Sequence, residues 1–78
     1  MYVAIDFGIS NTDLAISDQD KIVFHTTPSQ FSEINADTLR NILRKHEIDI
    51  SNVKKIGVTG GKSSGLDDEL DRVKIAKN

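Results

Sequence analysis

Apolar positions along this chain come in short runs separated by turn residues. In a single stretch their spacing changes from that of a strand to that of a helix. The run Met1–Ile5 is rich in β-formers and bounded by Asp6 and Gly8, which predicts a buried strand over Tyr2–Ile5. Leu14–Ile16 is the second run, inside a strand expected over Asp13–Ser17. Gly8, Ser10, Asn11 and Thr12 lie between the two and make them a hairpin. After the turn Asp18-Gln19-Asp20, Lys21–His25 reads as a third strand, giving an antiparallel meander. Pro28, among Thr26, Thr27 and Ser29, is expected to end it.

Ala36, Leu39, Ile42, Leu43 and His46 then recur at spacings of three and four, the signature of a helix with one apolar face. Asn35 is placed to cap its start, with Asp37 in the first turn, and Arg44, Lys45 and His46 fall in the last turn, where cations oppose the helix dipole. Beyond a link through Asp49–Asn52, Lys55–Thr59 predicts a fourth strand. It is expected to run parallel to the first, because it returns after a helix. The loop Thr59-Gly60-Gly61-Lys62-Ser63-Ser64-Gly65 follows, and Val73–Ala76 reads as a short fifth strand.

Composition narrows the class. At 78 residues, with 37% apolar content, no Trp and no Cys, the chain makes one domain at most, with neither disulfides nor a thiolate metal site. No run is long enough to span a membrane and no basic leader opens the chain, so a cytoplasmic protein with no membrane partner is expected. The net charge is −2 with both signs interleaved. Arg40, Arg44, Lys45, Lys54 and Lys55 read as a solvated helix face and its exit, and no nucleic-acid partner is expected. His25 and His46, with no Cys or spaced second His, read as structural or surface residues.

Two loops carry the candidate chemistry. At the first, Gly8 allows close backbone approach, Ser10, Asn11 and Thr12 offer donors to phosphate oxygens, and Asp6 is placed to hold Mg²⁺ directly or through water. At the second, Thr59, Gly60 and Gly61 leave a strand at its carboxyl end, the usual binding edge of such sheets. If the first and fourth strands are parallel, both loops emerge on the same edge and face a common hollow.

The order β-β-β-α-β, with a mixed sheet, resembles the start of a ribonuclease-H-like fold, the α/β half-lobe of actin-like ATPases. The segment Asp6-Phe-Gly8-Ile-Ser10, the helix with Leu39 and Leu43, and Ile56-Gly-Val-Thr59-Gly60-Gly61 together resemble the N-terminal part of type II (eukaryotic-like) pantothenate kinases. That resemblance implies an ATP- and Mg²⁺-dependent kinase transferring the γ-phosphoryl group to the hydroxyl of pantothenate or a similar small acceptor, in coenzyme A biosynthesis. Asp6 to Thr12 would contact the ATP phosphates and metal, and Thr59 to Gly61 would line the acceptor side. It further implies that residues 1–78 form an N-terminal nucleotide-phosphate-binding subdomain of a longer two-lobed protein, which could be a homodimer. No catalytic residue is expected within the chain, because the family's glutamate base follows the strand matching Val73–Ala76 and would lie beyond Asn78. The chain departs from the family where Ile9 and Ser10 stand in the first loop, normally Asp-x-Gly-Gly-Thr, and where Asp13 follows it in place of a common lysine.

Three alternatives share this pattern. Ribonuclease-H-like nucleases and resolvases also open on an Ile-Asp-x-Gly hairpin and would need Asp6 clustered with carboxylates such as Asp67, Asp68, Glu69 and Asp71, a run that otherwise reads as a surface turn. Hydantoinase/oxoprolinase-type N-terminal regions favour a Thr-Asp pair like Thr12-Asp13. A non-enzymatic nucleotide-binding module is the third.

Overall fold

Strand alternation decides which side of the sheet is buried. In the computed structural model, which describes residues 1–29, 31 and 33–78, strand β1 (Tyr2–Phe7) turns Val3, Ile5 and Phe7 inward and Tyr2, Ala4 and Asp6 outward. The first strand, expected to be buried, is therefore buried on one face only. Strand β2 (Asn11–Asp18) buries Thr12 and Leu14 on the same side. Strand β3 (Lys21–Pro28) lies at the edge with nearly every residue exposed. Asn11 and Thr12, expected in the turn, already pair with β3, whose Pro28 stands opposite Asn11. The third strand thus runs three residues further than Pro28 led one to expect, because an edge strand tolerates the missing N–H.

The sheet is mixed, with six strands in the order β3-β2-β1-β4-β6-β5. Here β4 is Lys55–Thr59, β5 is Glu69–Leu70 and β6 is Val73–Lys77. β1 and β4 are parallel, with Ile5 opposite Val58 and Asp6 opposite Thr59, and β6 runs parallel to β4. β5 is a strand that the acidic run Asp67–Asp71 conceals: Leu70 is buried and pairs with Val73 across the two-residue turn Asp71-Arg72. Both turn residues take left-handed backbone, φ 49° and 73°.

One helix, α1 (Ala36–Lys45), covers the inward face. Asn35 caps it, its side chain accepting from the Thr38 N–H at 3.1 Å while the Thr38 hydroxyl accepts from the Asn35 N–H at 3.1 Å. At the other end the Ile48 N–H reaches the Leu43 carbonyl (2.8 Å) and the Glu47 N–H the Arg44 carbonyl (3.0 Å), with Glu47 left-handed at φ 58°. This is the Schellman closure usually given to glycine. Leu39 and Leu43 join Val3, Ile5, Ile56, Val58, Val73 and Ile75 in the core.

The outward face stays bare. Register aligns Phe24, Ala15, Ala4, Gly57 and Ala76 in one row across five strands. Of these Phe24 is 74% exposed, and a Cβ built on Gly57 would meet nothing within 4 Å.

Leu39 is fully enclosed, so Leu39→Ala is expected to cost about 2–5 kcal/mol. That is a large fraction of the stability of a domain of this size, so urea denaturation should find the variant's midpoint far below that of the native chain. Asn35→Ala should cost about 1 kcal/mol in the same measurement.

Candidate functional site

Parallel pairing of β1 and β4 brings the two glycine-bearing turns together at the carboxyl edge. Gly60, at φ +114°, sits so close to the end of β1 that an added Cβ would stand 2.2 Å from the Phe7 carbonyl oxygen. At Gly8 the same Cβ would stand 2.6 Å from the Asn11 carbonyl oxygen. A side chain at Gly60 would force the two turns apart, and one at Gly8 would distort its own hairpin.

Between the turns, on the helix side, lies a hollow of about 420 Å³ bordered by Gly8, Thr12, Ser29, Phe31, Gly61 and Lys62. Its walls are tied by hydroxyls. Thr12 Oγ1 and Ser29 Oγ are 2.9 Å apart, and Ser29 Oγ donates to the Gly8 carbonyl at 2.8 Å. Phe7 and Phe31 meet edge to face at 5.7 Å, and Lys62 Nζ points to the Phe31 carbonyl at 3.4 Å. Ser63 is buried with its hydroxyl on the Gly60 carbonyl at 2.7 Å, which fixes the Thr59-Gly60-Gly61 turn from behind.

The residues singled out in the sequence divide between two faces. Gly8, Thr12 and Gly61 border the hollow. Asp6 and Thr59 are register partners on the opposite, bare face, where Asp13 is the third neighbour, opposite Asp6. Ser10 and Asn11 are exposed at the hairpin tip. The expected single hollow with a carboxylate and free amides facing it is therefore not what forms, and strand alternation is the reason. Asp6 follows Ile5 and precedes Phe7, both turned inward, so its side chain must leave by the other side. The Gly8 amide is also engaged, donating to the Asn11 carbonyl at 3.0 Å and contacting the Asp6 carbonyl at 3.2 Å.

Across the bare face the same register gives a polar row, Thr26, Asp13, Asp6 and Thr59, on four neighbouring strands. Thr26 Oγ1 donates to Asp13 Oδ1 at 2.7 Å, holding that carboxylate beside Asp6. Two like charges on adjacent strands repel, so this edge favours a cation.

The other carboxylates lie elsewhere. Asp71 accepts a two-pronged contact from Arg40, and Asp68 pairs with Lys77 at 3.4 Å, both at the far side of the sheet. Among the described residues no three His, Cys, Asp or Glu side chains gather as metal ligands. No helix among them is long and apolar enough to cross a membrane.

Sequence reasoning missed Ser29, which closes the first loop, and the approach of His25 to His46. The signal for Ser29 was available, since a hydroxyl after Pro28 can return to a hairpin that ends beside it. Ile9 is wholly exposed at the tip, an apolar residue on the rim of the hollow. Compared with models of known protein families and with curated protein sequences, the chain matches none.

The two adjacent glycines separate by position. Gly60→Ala is expected to destabilise by about 1–3 kcal/mol or more through strain and the clash with Phe7. Gly61→Ala meets nothing within 4 Å and should stay within about 0.5 kcal/mol, both read by thermal denaturation.

Proposed function

We propose that the chain is the N-terminal, ribonuclease-H-like segment of an ATP-dependent small-molecule kinase of the type II pantothenate kinase kind. The observation that carries this reading is the convergence of the Gly8 and Gly60 turns at the carboxyl ends of two parallel strands, with Asp6 and Thr59 in register at the same edge on the bare face. A carboxylate, small residues and backbone approach at one sheet edge are what a metal-bound phosphate requires.

The residues present fit Mg²⁺ and ATP in part. Asp6 is an exposed carboxylate, the hard oxygen donor Mg²⁺ prefers, with Asp13 beside it adding negative potential. Ser10 and Asn11 keep exposed donors for phosphate oxygens, whereas the Thr12 hydroxyl is buried against Ser29. Bound MgATP would supply the γ-phosphoryl group for an acceptor hydroxyl such as that of pantothenate. Asp6 would anchor the metal side, and Thr59, Gly60 and Gly61 would border the acceptor. Phosphoryl transfer rests on positioning and charge neutralisation, and this chain offers one half of that arrangement. The bare outer face of the parallel strands β1, β4 and β6 supports the same reading, because parallel strands are ordinarily covered on both sides. The nuclease alternative loses ground, since Asp67, Asp68, Glu69 and Asp71 lie two strands and more from Asp6.

Calorimetry of the chain with ATP and Mg²⁺ is expected to show weak binding that falls roughly tenfold in Asp6→Asn, about 1.4 kcal/mol. Binding indifferent to that change removes Asp6 from the reading. Absence of ATP-dependent pantothenate phosphorylation by the intact parent protein rejects the kinase itself.

A further inference from the structure

A second cleft opens on the helix side of the sheet, between β3 and the last turn of α1, with a volume of about 290 Å³. That is the lower limit of small-ligand sites. The imidazole of His25, from β3, lies 4.5 Å from that of His46, at the end of α1, with the rings tilted 38°. Lys45, Thr27 and Asn41 complete the polar lining, and Leu14 and Ile42 form an apolar floor. The Asn41 carbonyl oxygen is taken by Arg44 at 3.2 Å, which leaves its amide hydrogens as donors.

The side-chain charge of this cleft is one-sided, set against the partial negative charge at the carboxyl end of α1. β3 contributes His25 and α1 contributes Lys45 and His46, while β2 and the connector contribute only Thr12, Leu14 and Phe31. No carboxylate lines it among the described residues; Asp13 of β2 faces the opposite side, bonded to Thr26. Two nitrogen-bearing rings, an ammonium, a hydroxyl and an amide donor converge on one small volume. An anion is the complement of that set.

We propose that this cleft binds a tetrahedral oxyanion carried on a small apolar body, such as a phosphate ester, with the oxyanion between His25, His46 and Lys45 and the apolar part on Leu14 and Ile42. The site is separate from the kinase reading and stands or falls independently of it. Without ligand, burial first, then His25 and Lys45, hold His46 below the ordinary histidine value. The folded chain therefore binds fewer protons there than the unfolded chain. Stability is whole above about pH 6.5 and falls as the pH drops through the window below it. An oxyanion seated between the rings reverses the repulsion, so its binding takes up protons and tightens as pH falls.

Histidine ring resonances of the 78-residue chain, followed by NMR, test this with inorganic sulfate, whose charge is constant across the range, and with butyl phosphate. Both rings are expected to shift with a common midpoint, sulfate binding roughly tenfold more tightly at about pH 6 than at about pH 8. Butyl phosphate should bind several-fold more tightly than inorganic phosphate at the same pH. Lys45→Gln, at an exposed position, should weaken sulfate binding several-fold, and His25→Asn should weaken it similarly as read at the remaining His46 ring. The proposal is overturned by shifts no larger than those of chloride at equal ionic strength, by binding unchanged in either variant, by no preference for the butyl ester, or by a response to Zn²⁺ alone.

Discussion

The parallel register of β1 on β4 is the constraint from which the rest follows. It sets Ile5 against Val58 in the core and Asp6 against Thr59 at the carboxyl edge. A slip of one residue would exchange the two faces of β1, turning Asp6 into the core and Ile5 into water. The same register drives Gly60 onto the Phe7 carbonyl, where only glycine fits. Core, edge and turn are thus one decision, and the apolar cost of the wrong choice enforces it.

Much of this was legible in residue order. The helix was legible because Leu39, Ile42 and Leu43 repeat at helical spacing and Asn35 is placed to cap its start. The parallel fourth strand followed from its position after a helix. The faces were harder to read. Met1–Ile5 is apolar throughout, and nothing local says that Tyr2 and Ala4 lie on a side that no element among the described residues covers. Strand β5 was hidden because three of the five residues in Asp67–Asp71 are aspartates, and its single buried side chain, Leu70, is too little for a pattern. Asp6 and Thr12 were grouped by proximity in sequence, yet alternation around Gly8 sends them to opposite faces. The meeting of His25 with His46 is tertiary and left no local trace.

The two faces of the sheet have opposite characters. The covered face holds the aliphatic core, the hollow behind the glycine turns and the histidine cleft at its β3 edge. The bare face is a shallow apolar trough, Phe24 to Ala76, with a polar row of Thr26, Asp13, Asp6 and Thr59 above it. Small side chains in the trough would let a neighbouring layer approach the backbone closely. The acidic pair would then sit at the rim of such a contact, partly shielded from water, where electrostatic interactions strengthen.

The turn Asp71-Arg72 has a consequence for how the molecule assembles. Two consecutive non-glycine residues in left-handed geometry are locally unfavourable by about 1–2 kcal/mol each, so the hairpin β5–β6 gains little from its own sequence. What offsets the cost is chiefly the burial of Leu70 and Val73 in the core, with the exposed fork from Arg40 to Asp71 adding a little once α1 has formed. The far edge of the sheet therefore owes its closure to the core that α1 completes rather than to its own turn.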